Sequence, residues 1–593
     1  MAVSSDDVRR AAYVLSRSED GRGRERDRDA TRRTADDESA VVVTRADAAG
    51  VPFVEERRTL AQWRALVSRE EAEHPRWAWR TSRTWYPRLL EAGIRVERCV
   101  DLALCGAILR GSATTQGSSL NGAPPPWPME TPESVEPDDA LFRLDAEPAD
   151  AIAATDELAE LRSQADAIAS VRDAAAASRL RLLLAAESAG SLVAAEMRHA
   201  GLPWRADVHD RLLTDALGRR SPQGRRPERM EALAREIRNH LGASTLNPDS
   251  PGDLMKALQR AGINATSTRA RELREVDHPV MHALLEYKKL SRLFTANGWV
   301  WLESWVHDGR FRPEYVPGGV VTGRWATNGG GALQLPKQIR AAVVADPGWK
   351  LIVADAAQLE PRILAGLAHD ERMADAGRGR DLYDGLVASG VVDSRQHAKV
   401  GMLAAMYGGT TGDGARVLPR LARAFPRALA LVSDAAEAGE RGDRVSTLLG
   451  RTSPAPSEAW FEQQRNASLP DADAEQERRA RSRARDWGRF TRNFVVQGTA
   501  AEWALCWMAD LRNRLATMHA DPRGAAAPPF DRSPHLVYFL HDEVVVHAPE
   551  SLAEQAAEAI RESAKSAGRL LFGGFPVEFP LSVAVVDSYD QAK

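Results

Sequence analysis

The sequence predicts a multidomain α/β protein. Three observations carry that expectation: a length of 593 residues, a break in composition between residues 111 and 150, and, past residue 310, short apolar strand-like runs alternating with long helical stretches. A chain of this length exceeds one domain, and roughly three to five folded units follow from ordinary domain size. The apolar fraction of 44% is enough for several cores. The net charge of −4 excludes no partner, because affinity for nucleic acid follows local basic surfaces rather than the sum. The three cysteines, Cys99, Cys105 and Cys506, form no CxxC pair and exclude a four-thiolate zinc site; they read as reduced thiols. The N-terminus is charged and lacks the apolar core of a signal peptide, and no apolar run reaches the roughly eighteen residues of a membrane span. A cytoplasmic protein without membrane contact is expected.

Along the chain, residues 18–38 mix Arg, Asp, Glu, Ser and Gly with almost no large apolar side chain and read as solvated. Val41-Val42-Val43, the aromatic stretch from Trp77 to Tyr86, and Val100-Asp101-Leu102 read as folded material. Residues 111–150, broken by Pro124-Pro125-Pro126, read as a linker or long loop. An Ala/Leu-rich helix runs through Leu180 to Met197, and Arg219 to Arg238 carry seven Arg against three Glu. Leu246-Asn247-Pro248-Asp249-Ser250 is a turn and N-cap before a helix over 253–261.

Four segments carry chemistry. Lys350 to Asp355 is a buried strand that delivers a carboxylate at its end, with a helix following from Gln358, Glu360 and Arg362. Leu536 to Leu540 and Val544 to Val546, joined by His541-Asp542-Glu543, predict a β-hairpin with acids at its turn. Two such aspartates, brought together, suit Mg²⁺, which holds a triphosphate and stabilises an in-line displacement. Arg395, Lys399, Leu403 and Tyr407 stand four apart on one face of a helix that Gly408-Gly409 ends. Arg395 and Lys399 are placed to grip a triphosphate, with Tyr407 near an incoming base pair and Lys399 a candidate general acid for the leaving pyrophosphate. Arg481, Arg485, Arg489, Asn493 and Gln497 repeat the four-residue spacing, and residues 478–493 hold seven Arg against one acid, Asp486. That asymmetry fits a groove for duplex phosphates better than a salt-bridged surface.

In order, these segments resemble the motifs of family-A DNA polymerases, the DNA polymerase I group. Asp355 to Arg362 resembles the first carboxylate motif, Arg395 to Tyr407 the fingers helix, Gln497 to Ala501 with Arg489 and Asn493 the template–primer helix, and His541-Asp542-Glu543 the second carboxylate motif. Thr322-Gly323-Arg324, Leu333 to Pro336, Leu449-Gly450-Arg451 and the thumb-tip-like 246–263 extend the likeness over roughly residues 180–593. The resemblance implies a right hand of palm, fingers and thumb. It implies two Mg²⁺ ions, with Mn²⁺ as a substitute, held by Asp355, Asp542 and the Ala356 carbonyl, with Glu543 nearby. Arg395, Lys399, Leu403, Tyr407, Gln358 and Glu360 would meet the deoxynucleoside triphosphate, Glu360 excluding a ribose 2′-OH. Arg324, Arg489, Asn493, Gln497 and His541 would hold primer-template DNA. The implied activity is template-directed DNA synthesis by a monomer, in repair or replication gap filling.

Three departures bear on nucleotide selectivity and speed: Ala356-Ala357 stand where the family usually has Tyr-Ser, Leu403 where it usually has an aromatic residue, and Pro361 sits in the helix's first turn. Ahead of the polymerase region, residues 93–109 resemble the stretch around one acid of a ribonuclease H-like 3′–5′ exonuclease, with Asp101 in its place. The Asp-x-Glu of that domain's first strand and its Tyr-x-x-x-Asp are absent; Asp173 lacks the Tyr. The expected organisation is therefore a charged, disordered 1–38, a degenerate exonuclease-like domain with linker over 39–178, and a polymerase domain over 179–593. Within the last, the thumb spans about 185–305, the palm about 306–365 and 445–593, and the fingers about 366–444; no 5′-nuclease domain is expected. The alternatives are a catalytically weak DNA-binding protein of the same shape, a bifunctional exonuclease/polymerase, and an RNA polymerase, which Glu360 disfavours.

Overall fold

The computed structural model describes residues 12–17, 40–47, 51–127, 157–222, 225–409, 412–470, 472–520 and 530–592. They fall into two compact units. Met1–Ala200, Glu314–Asn328 and Ile352–Val585 form the larger, and Gly201–Pro313, Gly329–Leu351 and Val586–Lys593 the smaller.

The larger unit opens with five strands, β1 (Ala12–Arg17), β2 (Ala40–Ala46), β3 (Pro52–Thr59), β4 (Arg76–Trp79) and β5 (Cys99–Asp101), ordered β3-β2-β1-β4-β5. β1 is antiparallel to β2 and parallel to β4, β2 is antiparallel to β3, and β4 is parallel to β5. The stretch 1–38, expected to be disordered throughout, contains the central strand β1. Its side chains alternate: Tyr13 and Leu15 enter a core with Trp63, Trp77 and Trp79, and Val14 enters another with Ala46, Ala78 and Leu158. Six residues between charged flanks vanish in an average of composition, although the continuous apolar run Ala12-Tyr13-Val14-Leu15 would have shown them. Residues 18–39 lie outside the described residues.

Helix α1 (Leu102–Gly111) follows β5 directly. The linker expected at 111–150 is ordered in its first part, where Ser112 Oγ donates to the Gly450 carbonyl at 2.8 Å and Ala113 N to Thr452 Oγ1 at 2.9 Å; residues 128–156 lie outside the described set. Helix α2 (Ala174–Ala200) is one unbroken helix of 27 residues, so the border expected at 178/179 falls inside it. Good helix formers without a Pro keep it running. Its Leu192 joins the Trp-rich core and its Leu180, Leu183 and Leu184 join Cys105, Ile108 and Leu109.

The elements that frame the site are β6 (Trp349–Ala356), α3 (Leu359–Leu367), α4 (Arg395–Tyr407), α5 (Pro426–Glu440), α6 (Ala474–Ala516), β7 (His535–Leu540), β8 (Glu543–Pro549), α7 (Ala553–Phe572) and β9 (Leu581–Val586). The strands form one sheet in the order β7-β8-β6-β9. Helix α6 is 43 residues long and starts at a capping box between Asp473 and Gln476. Its second half is buried: Trp503 packs at a tilt against Phe579, ring centres 5.0 Å apart, and Trp507 Nε1 donates to the Ile560 carbonyl of α7 at 3.2 Å. Its middle crosses α5 at close range. A Cβ on Gly439 would meet Thr491 Oγ1 at 2.0 Å, and one on Gly488 would meet the Ala436 carbonyl at 2.8 Å, so both positions exclude any side chain.

A buried ionic network joins α6, α2 and the segment before β5. Arg512 donates to both Glu196 oxygens, at 2.6 and 3.0 Å, to the Glu97 carbonyl at 2.8 Å and to the Val96 carbonyl. Tyr86 Oη donates to Glu196 at 2.6 Å, and Arg95 stands 3.2 Å from it.

In the smaller unit, Ser250 caps the helix Pro251–Arg260 by accepting from Asp253 N, as the sequence implies, and proline occupies its first turn. Of the arginines between 219 and 238, four have acidic partners: Arg220–Glu303 at 2.6 Å, Arg226–Asp249 at 2.7 Å, Arg229–Glu286 at 3.3 Å and Arg238–Glu231 at 2.9 Å. Three of those acids lie far away in sequence, so the local excess of Arg overstated the free charge.

Candidate active site

Strand β6 is apolar from Leu351 to Ala354 because both faces are covered, and it carries Asp355 to the sheet's end. The β7–β8 hairpin presents Asp542 there. Its turn is tight: Asp542 N donates to the Leu540 carbonyl at 2.7 Å, with His541 left-handed at φ 59°. A non-glycine residue in that region costs of order 1 kcal/mol and is tolerated where surroundings fix it. The fixing bond is Ala356 N to the Asp542 carbonyl, at 2.9 Å, which places the two aspartate-bearing segments side by side. Tyr315 braces the hairpin from behind, its hydroxyl donating to the Phe539 carbonyl at 2.8 Å and accepting from Phe539 N at 3.1 Å. Glu543, the third acid, is 2% exposed within β8.

Five expected residues meet on one side of this sheet. Glu360 in the first turn of α3 accepts from Tyr407 Oη at 2.5 Å and pairs with Arg324. Gln497 shares a hydrogen bond with Tyr407. His541 has its pKa lowered, first by burial and then by the charge of Arg324, against the pull of Glu360. One carboxylate thus ties the end of the α4 helix to Arg324.

Helix α4 covers the expected thirteen residues, capped by Ser394 and closed at Gly408 with φ 72°. Arg395 and Lys399 are exposed, Leu403 is 37% exposed and Tyr407 is half-buried. Arg395 Nη2 donates to Asp381 Oδ2 at 2.8 Å, and its guanidinium lies 5.5 Å from the centre of the Tyr383 ring. Gln358 Nε2 reaches the same Asp381 oxygen at 3.0 Å, and its Oε1 accepts from Leu382 N at 3.2 Å. Burial pushes the Asp381 carboxyl up, but hydrogen bonds and charge from Arg395 with the helix-capping bonds outweigh it and leave the pKa below the usual carboxylate range.

The expected cationic face of α6 is partly neutralised. Arg479 pairs with Glu475, Arg481 with Glu477 and Arg489 with Asp486. Arg492 Nη1 donates to the Ala405 carbonyl at 3.0 Å, stitching α6 to α4, and Gly408 leaves room for the Arg489 stem. The side-chain oxygen of Asn493 is buried without a hydrogen-bond partner among the described residues.

Sequence reasoning missed Asp381 and the structural role of Arg362. Arg362, 1% exposed, donates to the carbonyls of Ala357, Gly377, Arg380 and Glu578 at 2.8–3.1 Å and to Gln358 Oε1 at 3.3 Å. Asp381 was findable as the N-cap of the helix Leu382–Ala388; its bond to Arg395 was not. In the strand-end region near α1, Asp101 is 1% exposed and accepts from Ser82 N at 2.7 Å and Leu104 N at 3.2 Å. Burial pushes its carboxyl up to about 6 against those bonds.

Among the described residues no three His, Cys, Asp or Glu side chains form a metal cage. Asp355, Ala356 and Asp542 lie together at the sheet's end through the Ala356–Asp542 backbone bond, and carboxylate and carbonyl oxygens are hard donors whose chemistry fits Mg²⁺.

The four-stranded sheet with paired aspartates, a cation-bearing helix and a long arginine-rich helix is a multidomain α/β polymerase fold. The model of DNA polymerase family A matches residues 221–590, and the chain belongs to that family. The thermostable DNA polymerase I of Thermus filiformis is 28% identical over 355 residues, which cover 55% of this chain and 38% of that protein. DNA polymerase I of Pseudomonas aeruginosa is 27% identical over 407 residues, covering 62% and 40%. The chain thus spans about two fifths of the length of these relatives. The POL domain of Pol1 from M. smegmatis, solved in complex with DNA primer-template and dNTP, superposes with a TM-score of 0.63 at 18% identity, covering 99% of this chain and 97% of that one, a likeness of fold. No described helix is long and apolar enough to cross a membrane.

Proposed function

We propose that the chain is a DNA-directed DNA polymerase that extends a primer 3′ end with deoxynucleoside triphosphates, in repair or replication gap filling. The observation that carries this is the Ala356–Asp542 backbone bond, which sets Asp355 beside Asp542 at the sheet's end. Asp355, Asp542 and the Ala356 carbonyl would hold Mg²⁺, which when bound neutralises triphosphate charge and stabilises the attacking and leaving oxygens. Arg395 and Lys399 bind the triphosphate, and Lys399 holds a proton for the departing pyrophosphate. Glu360, fixed by Tyr407 and Arg324, blocks the place of a 2′-OH. Gln358 holds the Asp381 loop against the nucleotide side, and Leu403 packs there in place of an aromatic ring. Arg324, Arg489, Asn493, Gln497 and His541 position primer and template, the buried Asn493 oxygen being an acceptor that a base-edge donor or a water would satisfy.

The N-terminal part is an exonuclease-like domain without its metal centre, its 3′–5′ exonuclease activity absent. Two observations support this: the β3-β2-β1-β4-β5 order with one antiparallel inner strand, and the use of Asp101 to cap two helix starts rather than to face solvent. Primer extension on a recessed duplex with Mg²⁺ and four deoxynucleotides, beside Asp542→Ala, tests the polymerase reading. Extension by the parent and none by the variant is expected; a folded, DNA-binding parent that extends nothing would sink it. Incubation without nucleotides tests the second part, since shortening of the primer would overturn it.

A further inference from the structure

We infer that Asp381 is a placeholder anion that occupies Arg395 until a nucleotide triphosphate displaces it, and so sets nucleotide affinity; this rests on the polymerase reading. Arg395 is the exposed cation at the start of α4, and in this structure its guanidinium is already engaged. Asp381 Oδ2 accepts from it at 2.8 Å, Asp384 Oδ1 stands 3.7 Å away, and the Tyr383 ring lies beneath it. A triphosphate that takes Arg395 bidentately through Nη2 must displace Asp381, which holds that nitrogen. Asp381 does not float free to follow Arg395. Its Oδ1 accepts from Asp384 N at 3.1 Å as a helix cap, and its Oδ2 also accepts from Gln358 Nε2 at 3.0 Å. Gln358 in turn is anchored by Arg362, which is bound to four backbone carbonyls. The acid is therefore fixed and the cation, 53% exposed in its side chain, is the mobile partner. The loop charge is a competitor whose strength is that of a partly exposed ion pair, enough to lower nucleotide affinity about two- to fivefold. Lys399, on the same face one turn on, has no carboxylate partner among the described residues, so a triphosphate meets Lys399 first and draws Arg395 across afterwards.

The test measures equilibrium binding of the next correct deoxynucleoside triphosphate to the enzyme on a recessed duplex with a 3′-deoxy-terminated primer, together with KM and kcat on an extendable one. Asp381→Asn keeps a capping side chain but no charge. Its Kd and KM are expected to fall about two- to fivefold with kcat no higher than the parent's; Asp381→Ser, a second uncharged cap, is expected to move the same way. In an Arg395→Ala background the gain from Asp381→Asn is expected to vanish. An unchanged or raised Kd in both Asp381 variants overturns the placeholder. So does a gain of equal size without Arg395, which would make Asp381 a plain repulsive charge. A parent that neither binds nor adds nucleotide overturns the polymerase reading and the placeholder together, whereas a parent that does both leaves the variants to decide.

Discussion

Replacing Arg512 with Met removes a guanidinium that donates to Glu196, to Tyr86 and to two backbone carbonyls of the segment before β5. Arg512 and Glu196 are both buried, so the loss leaves a carboxylate in the interior with only Arg95, 3.2 Å away, to balance it. Breaking a buried pair in this way costs about 3–5 kcal/mol, and the remaining Arg95 contact puts the expectation near 3. For a folding unit of about 450 residues, whose unfolding entropy is about 0.9 kcal/mol/K, that corresponds to a fall in Tm of roughly 3 °C, read by thermal melting of the full chain. The pH dependence gives the argument a second handle. In the parent, burial raises the Glu196 carboxyl but Arg512 and Arg95, with the bonds from Arg512 and Tyr86, bring it below its ordinary value. A depressed acid contributes stability that is complete above the unfolded-state value and is lost as pH falls through the folded one. Without Arg512 burial dominates, Glu196 is stabilised when protonated, and the gap between parent and variant should narrow as pH drops below about 5. Adding Glu196→Gln should recover at least half the loss. A Tm within about 1 °C of the parent's, or a gap that widens in acid, would refute the account.

Two other outcomes are expected. Glu502 is buried against Thr447 Oγ1 and Leu449 N, and burial pushes its carboxyl up to about 7. A raised acid stabilises the fold below its unfolded pKa and loses that contribution as pH rises through the folded value, so about 3 kcal/mol should be lost between pH 4.5 and 7. Glu502→Gln should flatten that limb in pH-dependent denaturation; a parent curve that rises monotonically there, matched by the variant, would contradict it. Glu360→Ala removes the carboxylate that positions Tyr407 and Arg324, so discrimination against ribonucleotides in primer extension should drop at least about tenfold, equivalent to about 1.4 kcal/mol of differential transition-state binding. An active variant that keeps the parent's discrimination would show that Glu360 does not guard the sugar.

Much of the framework was legible because it is local. The fingers-like helix reads from its four-residue spacing and its Gly408-Gly409 stop, and the structure returns the same thirteen residues. The hairpin reads from two apolar runs around three polar residues, and the Ser250 cap from a turn before a helix. What could not be read depends on distant partners. The excess of Arg between 219 and 238 looked uncompensated because Glu286 and Glu303 come much later in the chain. Asp381 was passed over because nothing in its neighbourhood shows Arg395 arriving fourteen residues on. Strand β1 was hidden for the opposite reason: it is short, and its charged flanks set the local average.

The unbroken length of α6 has a mechanical consequence. At about 1.5 Å per residue its 43 residues make a rod about 65 Å long, with arginines at one end and Trp503, Trp507 and Arg512 locked into the interior at the other. In the polymerase proposed above, a backbone pulling on the arginines of its first turns, Arg478 to Arg485, would load a lever rather than a local patch, pinned where Gly439 and Gly488 let α5 press against it. The stiffness that a duplex would meet at the exposed end of such a lever is set by the crossing at Gly439 and Gly488, and a side chain added at either glycine would soften the grip without touching the arginines.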